Sequence, residues 1–480
     1  MNVTTLRLRR GCWPMAVTLV GAALLVSACA GSGALEPELT SGVVLPAALG
    51  EMAPAVAAPD TEWVATFGSP ELVSLVQEAL TVNPDIAVAQ ARVRAADARA
   101  RSVSAGLLPQ VDASVSGTRQ AGSTREGSAV ETDRGAQLSA RYELDFWHGV
   151  RAARDEARAQ QRGARFDAQV VRVSLQAAVV VAYIGLADLQ QQQQSLKDQL
   201  MLHQQTITVL QARVSAGLAN RAELAAQRAQ LAMATAELAK VQQQYQDLRA
   251  ALALLLGRSD AQLSLAGASL AALKQPPLVG TSPAQLLLRR PDVASAEAAL
   301  AAANANVEAA RAAFFPRVAI DLGLALQNPG FNAAVTTLQG TGLASSLAVS
   351  AIQPLFNGGK LQAEKELAVA QQQSLLASYR SSILAALIDA QRAVAAANAY
   401  RQQLQQLDHI ATQLHAVVDV LQARYVAGLG DQIALLDAQR AWQQAQAQQQ
   451  QLQAQQLQAA VAVFRAFGGG WQLPQQGTPR

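Results

Sequence analysis

Two periodicities divide this chain. In four short stretches apolar and polar residues alternate one by one, and over most of the remainder apolar residues recur every three or four positions. Val111, Ala113 and Val115 alternate with Gln110, Asp112, Ser114 and Ser116, and Leu138, Ala140, Tyr142, Leu144 and Phe146 interleave with Gln137, Ser139, Arg141, Glu143 and Asp145. Val318, Ile320, Leu322, Leu324 and Leu326 form a third row, and Ser345 to Leu355 alternates weakly. These rows predict strands at about 109–120, 134–146, 316–328 and 343–355, arranged as two hairpins. Polar segments, Gly117 to Thr132 and Pro329 to Gly342, read as the loops of those hairpins.

The helical stretches are far longer than usual. Val150 to Val214 holds no proline and only Gly163 and Gly185, and Lys360 to Ala427 holds neither residue. At ~1.5 Å per residue each run reaches on the order of 100 Å. Gln190 to Gln194 and Gln448 to Gln451 read as helix and not as disordered low complexity, because Leu and Ala recur among them at helical spacing and Gln is a good helix former. Both long helices are expected to end in a sharp reversal. Gly217 and Gly428 fit the left-handed position that terminates a helix, and Asn220 and Asp431 fit the N-cap of the next. Glu223, three beyond Asn220, predicts a capping box.

The chain is internally duplicated. Asn83-Pro84-Asp85-Ile86 answers Arg290-Pro291-Asp292-Val293, and Leu107-Leu108-Pro109-Gln110-Val111 answers Phe314-Phe315-Pro316-Arg317-Val318 without a gap. Phe146-Trp147-His148-Gly149 answers Leu355-Phe356-Asn357-Gly358, Leu210-Gln211-Ala212-Arg213 answers Leu421-Gln422-Ala423-Arg424, and Gly257 answers Gly468. Matched Pro, Gly and aromatic positions separate a true repeat from chance likeness between Ala-rich helices. Repeat 1 spans 71–257 with its tip turn at 215–220, and repeat 2 spans 283–471 with its tip turn at 426–431. A linker, 258–282, joins them, and 472–480 is a C-terminal tail.

Composition then supplies an address. Arg7, Arg9 and Arg10 precede an apolar stretch from Met15 to Val26, and Val26-Ser27-Ala28-Cys29 follows. Residues 1–28 read as an export signal, and the ending resembles the bacterial lipobox, which makes Cys29 the lipidated first residue of a segment running 29–70. An ordinary signal with an incidental Cys29 is the alternative. Removing three arginines and no acidic residue takes the formal net charge of +3 to zero, so no electrostatic case for nucleic acid remains. Cys12 leaves with the signal, and one cysteine cannot form an internal disulfide. Val173 to Ala187 is apolar but interrupted by Gln176 and closed by Asp188, so it reads as helix packed in protein. Crossing a bilayer therefore falls to the strands.

Four strands cannot close a barrel, and an open edge cannot face lipid, so the protomer must associate with copies of itself. The row Leu138, Ala140, Tyr142, Leu144 and Phe146 would meet lipid, with Arg141, Glu143 and Asp145 facing water. Enzyme chemistry lacks its parts: His148, His203, His409 and His415 have no metal-site spacing and read as scattered helix-surface residues, and no Gly-Lys-Ser phosphate loop is present. No cofactor is expected beyond the covalent lipid.

Trp63 to Phe67 with Pro70-Glu71-Leu72, Leu144-Asp145-Phe146-Trp147, Leu286 to Val293, Phe314-Phe315-Pro316, Leu435 to Arg440 and Gly468-Gly469-Gly470-Trp471 resemble the TolC-like outer-membrane factor family. They are closest to its lipoprotein branch, which partners resistance-nodulation-division pumps. The resemblance covers nearly the whole mature chain. It implies a mainly helical homotrimer whose twelve-stranded β-barrel, four strands per protomer, continues into a periplasmic helical barrel with a small equatorial belt. It also implies an outer-membrane channel that passively conducts small molecules from a periplasmic adaptor and an inner-membrane pump. On the same grounds Gly217, Leu218, Gly428 and Leu429 become adaptor-contact tips. Asp437, about 9 Å up the helix from Asp431, would form a threefold carboxylate ring at the periplasmic gate, with Ile433 as an apolar ring nearer the tip. The competing reading of Asp437 is a solvated helix-surface carboxylate paired with Arg440 at i+3. A protein-secretion or metal-efflux duct, and a lipid-tethered periplasmic scaffold without a pore, are the other functions considered.

Overall fold

The computed structural model describes residues 63–124, 127–259, 269–277, 282–328 and 342–471. The signal segment, Cys29, most of the expected loop at 329–342 and the tail at 472–480 lie outside them. Repeat 1 runs α1 (Pro70–Val82), α2 (Pro84–Ser104), β1 (Gln110–Thr124), β2 (Gly127–Leu144), α3 (Gly149–Ser215) and α4 (Arg221–Leu255). Repeat 2 runs α5 (Pro283–Leu288), α6 (Pro291–Ala312), β3 (Arg317–Asn328), β4 (Gly342–Ile352), α7 (Lys360–Val426) and α8 (Gln432–Ala466). The long helices are 67 residues each and the returning helices 35 each, so the two halves share one ruler.

Local chemistry sets the boundaries. Pro70, Pro84, Pro283 and Pro291 stand in the first turn of their helices, where a missing N–H costs nothing. Ser69 and Asn83 accept from the amides of Leu72 and Asp85. Asp145 does the same for α3 from outside the helix, its two carboxylate oxygens accepting from Val150 and Arg151 N–H at 3.0 Å. The second strand stops at Leu144, so Phe146 lies beyond it. The fourth stops at Ile352, short of 355, because Gln353 turns its amide to the Phe314 carbonyl and Pro354 has no N–H for the ladder.

The first hairpin departs furthest from its expected bounds. Gly117 to Thr132 is not a loop: β1 continues to Thr124 and β2 starts at Gly127, with Thr118 opposite Asp133 and Arg119 opposite Thr132. Polar side chains do not stop an antiparallel ladder whose backbone groups are already paired, so the first hairpin continues beyond Arg134, the β2 residue opposite Asn328, to the Thr124–Gly127 pair.

The helices stand side by side as staves. In the half nearest the sheet, contacts run α2 to α3, α3 to α6 and α6 to α7, and in the other half α4 to α3, α3 to α8 and α8 to α7. The strands follow the same sequence, β1-β2-β3-β4. Each strand therefore continues into its own stave. Small residues allow this close lateral packing: Ala386, Ala390, Ala393 and Ala397 are buried along α7, and Gly185 of α3 leaves room for Leu248 of α4.

A second layer lies against the middle of the staves. The 3-10 turn Trp63–Phe67, α1, the short turn Leu270–Ala272 and the end of α8 bury Leu72, Val76, Leu273 and Phe464 against Val179, Val180, Tyr183 and Leu186 of α3. Trp63 stacks on Phe464 at 5.2 Å, and the Lys274 amide donates to the Phe67 carbonyl at 2.9 Å. Each such fully buried large side chain contributes about 1.5–3 kcal/mol. N-terminal segment, linker and C-terminal end thus form one belt. Its buried α3 face explains the apolar run Val173 to Ala187, which packs in protein.

Candidate functional site: wall, tips and constriction

The wall begins with the register of the sheet. Antiparallel partners share a face, and Ala140 sits opposite Val111 and Leu322, Leu138 opposite Ala113 and Leu324, and Tyr142 opposite Ile320. Leu322 in turn pairs with Leu347, and Ile320 with Val349. One face of all four strands is consequently apolar at these positions, broken on β4 by Ser345 opposite Leu324, and Val115, Leu322, Leu347 and Val349 on it are exposed. The other face carries Asp112, Ser114, Ser139, Arg141 and Asp321, with Arg141 and Asp321 directly opposite at 3.7 Å. The outer edges of β1 and β4 have no partner strand among the described residues.

Both tips are built alike. Gly217 and Gly428 take φ values of 72° and 71°, and the amides of Leu218 and Leu429 reach back to the carbonyls of Arg213 and Arg424 at 2.8 Å. This is the six-to-one closure of a Schellman motif, which satisfies the last helical carbonyls. It leaves Leu218 71% and Leu429 76% exposed. Asn220 and Asp431 cap the returning helices through the amides of Ala222 and Ile433. Glu223 returns no bond to the Asn220 amide, so the first cap is a single-sided turn and not the expected box. The two tips are also linked, Arg213 Nη1 meeting Asp431 Oδ1 at 3.3 Å. Nothing in the sequence pattern announced that pair, whose members are 218 residues apart.

At the candidate constriction Asp437 is exposed and paired with Arg440 one turn on, while Ile433 is half-buried and Leu435 and Leu436 face the core. The structure brings Asp437 and Arg440 together within one protomer. Arg440 leans into the seam between α3 and α8, and its Nε is buried without a partner among the described residues. Burial pulls its pKa down from the usual guanidinium value.

Histidines divide differently from the sequence reading. His148, His409 and His415 are exposed, but His203 is buried at 8% exposure and its Nδ1 lies 2.8 Å from Gln227 Nε2. Helical phase alone does not say which neighbour a residue meets, and here α4 and α8 both close over it.

Higher on α3, Asp188 holds a carboxyl that burial pushes up to about 6; Gln192 donates to Oδ2 at 2.9 Å, while Oδ1 is buried without a partner among the described residues. A carboxyl raised in the folded state adds no penalty below its unfolded value near ~4 and a full one above the folded value. Stability therefore falls as pH rises through that window. Asp188→Asn is expected to stabilise the protein at pH 7.5 by about 1–2 kcal/mol after discounting for solvent screening, and not at pH 4. Thermal unfolding at the two pH values reads this out; equal shifts at both would refute it.

The family model for outer membrane efflux protein matches residues 75–258 and again 282–469, once for each repeat. This chain belongs to the outer membrane efflux protein family. Among curated members, the pyoverdine export outer membrane protein OpmQ of Pseudomonas putida is 37% identical over 427 residues, covering 87% of this chain and 90% of the relative. OpmQ of Pseudomonas aeruginosa is 33% identical over 476 residues, covering 97% and 98%. The open state of the MtrE outer membrane channel of Neisseria gonorrhoeae superposes with a TM-score of 0.80 at 25% identity, over 90% of this chain and 96% of that one. The outer-membrane channel OprN gives 0.77 at 27%, over 90% and 99%. The efflux-protein fold is TolC-like, as the resemblance implied, and the paired family match reflects the duplication on which that fold is built.

Proposed function

We propose that this chain is the outer-membrane channel component of a tripartite efflux pump, passing small molecules outward without chemistry of its own. The observation that carries this is the pair of sheet edges that have no partner strand among the described residues, beside a face on which the apolar rows of four strands line up. In lipid, such edges must pair with strands of further copies. Joining β4 of one copy to β1 of the next repeats head to tail until the ring closes. Two copies give eight strands, a barrel whose interior side chains fill it; three give twelve and leave room for a lumen. The free flanks of the staves, α7 on one side and α2 with α4 on the other, continue the same junction into a helical duct.

The lipobox-like ending at Cys29 supports a lipid anchor in the outer membrane. The tips, with Leu218 and Leu429 uncovered, suit an apolar contact with a periplasmic adaptor, which in turn connects to a resistance-nodulation-division pump in the inner membrane. The names of the OpmQ relatives support export of small molecules as the cargo class. Asp437 is the gate residue of this reading: carboxylates gathered about an axis repel one another and control passage of ions at a neck. Asp437→Ala is expected to raise the resting conductance of purified oligomers in planar bilayers roughly tenfold. Unchanged conductance removes Asp437 from the gate, and a protein that stays monomeric in detergent and forms no channels removes the duct.

A further inference from the structure

Inside the chain the two repeats meet along one seam, where β2 pairs with β3 and α3 lies against α6. At the corner of that seam, where strands give way to helices, Trp147 stacks on Phe315 at 4.7 Å and its Nε1 donates to the Pro316 carbonyl at 2.8 Å. Beside them a Cβ on Gly149 would stand 3.1 Å from the Ala312 Cβ, so the two helices are in close contact. The duplication gives each of these residues a counterpart: Phe356 and Gly358 for Trp147 and Gly149, and Leu108, Pro109 and Ala105 for Phe315, Pro316 and Ala312. The counterparts do not meet within one chain, because Phe356 follows β4 and Leu108 precedes β1, at opposite edges of the sheet. Phe356 is accordingly 92% exposed and Leu108 66%, and no atom of the described residues lies within 4 Å of a Cβ at Gly358.

We propose that the seam between copies repeats the seam inside the chain: Phe356 of one copy seats on Leu108 and Pro109 of the next, and β4 pairs with that copy's β1 with Val349 opposite Val115. The occupant is a second copy of this chain, and the proposal rests on the reading of the sheet edges as junctions between copies.

The register follows from the same correspondence. Stepping back from Trp147 and Phe356 matches Ala140 with Val349, and stepping forward from Pro109 and Pro316 matches Val115 with Leu322. Ala140 is opposite Leu322, so Val349 falls opposite Val115. Both valines are exposed and both lie on the apolar face, Val349 opposite Ile320 and Val115 opposite Ala136, which pairs with Leu326. A slip of one residue would turn one apolar row toward the polar face. A slip of two would move the corner by about 7 Å and take Phe356 off Leu108. Corner and strand face therefore select the same register. The helices agree with it: Ala298 of α6 lies against Gly163 of α3, and its counterpart on α2, Ala91, is exposed and small enough to admit α7 of the next copy.

One bond is missing from the repeated joint. Phenylalanine has no N–H, so the Pro109 carbonyl of the next copy does not receive what Trp147 gives Pro316. The joint between copies thus has the shape of the internal one and is weaker by a hydrogen bond.

The test uses the full-length chain purified in detergent. On oxidation, Val349→Cys combined with Val115→Cys should link copies by a disulfide, because directly opposite residues stand about 4.5–5.5 Å apart at Cα, within the span of that bond. Val349→Cys with Ala113→Cys or with Gly117→Cys should link far more slowly, and each single variant not at all. Phe356→Ala removes a ring that the protomer itself leaves uncovered, and should weaken association roughly tenfold or more per junction, read from dissociation of the oligomer on dilution. Phe356→Trp supplies the missing donor and should strengthen association about fivefold. An oligomer that links in another register, or that is indifferent to both Phe356 variants, overturns the joint and leaves the duct standing. Weaker membrane binding of Phe356→Ala with unchanged association marks a lipid-facing ring and also overturns it. A chain that stays monomeric and links in no pairing removes the duct, and the joint with it.

Discussion

Leu322→Arg is expected to abolish stable insertion in the outer membrane. Leu322 is the middle residue of the apolar row Val318 to Leu326, opposite Ala140 on β2 and Leu347 on β4, so it occupies the centre of the outward face. A guanidinium at the midplane of a lipid-facing strand costs about 2–4 kcal/mol, and every copy in the closed ring incurs it. Ala348→Arg is the matched control. It lies one residue from Leu347 on the opposite face, across from Asp321, where water and a carboxylate receive the charge. Membrane fractionation and heat-resistant oligomer on gels should show loss for Leu322→Arg and near-normal yield for Ala348→Arg. Equal behaviour of the two would mean that the apolar face does not meet lipid.

Gly468→Ala is expected to destabilise the protein by about 3–5 kcal/mol, enough to lower its thermal midpoint by several degrees or prevent accumulation. The residue ends α8 with φ 87°, a conformation that L side chains avoid. A Cβ there would also run into the backbone carbonyl of Arg289, which no rotamer change can move. That carbonyl is fixed by its neighbour. Arg290 is nearly buried and forks onto Asp292 at 3.0 and 2.7 Å, with further bonds to Asp389 at 3.2 Å and the Ala466 carbonyl at 3.0 Å. Burial pushes the Asp292 carboxyl up, but the bonds and charge of Arg290 outweigh it and hold the group below its usual range. Gly217→Ala is the comparison: the same positive φ, but open space around the would-be Cβ, so only the smaller backbone penalty of roughly 1–2 kcal/mol applies. Unfolding curves that rank the two variants equally would show that the joint at Arg289 yields.

The joint also shows where sequence reading reached and where it stopped. Leu286 to Val293 and Gly468 to Trp471 were visible as motifs, but that the end of α8 docks on the turn before α6 was not. Proline locks φ, glycine tolerates the positive φ that other residues avoid, and Ser, Asn and Asp cap helices, so tips, caps and repeat boundaries could be placed from residue types alone. Pairing partners are another matter. Arg213 meets Asp431 across 218 residues and His203 meets Gln227 across 24, both through helix packing, and a helical period cannot say which neighbouring stave a side chain meets. The first hairpin is longer than its apolar row for a related reason: backbone pairing persists after alternation of side-chain polarity has ended.

By itself the amino-acid order determined the four strands, the two long helical hairpins, their sharp tips and the duplication, because each of these follows from local periodicity and from residues with special backbone preferences. It also determined that the strands must close with other copies, since four cannot close alone. Only the tertiary structure decided the stave order, the register that aligns the apolar rows of the four strands on one face, the belt around α3 and the buried pair His203 and Gln227 above the tips. Those depend on which surfaces meet, a cooperative outcome of packing that no single stretch of chain encodes.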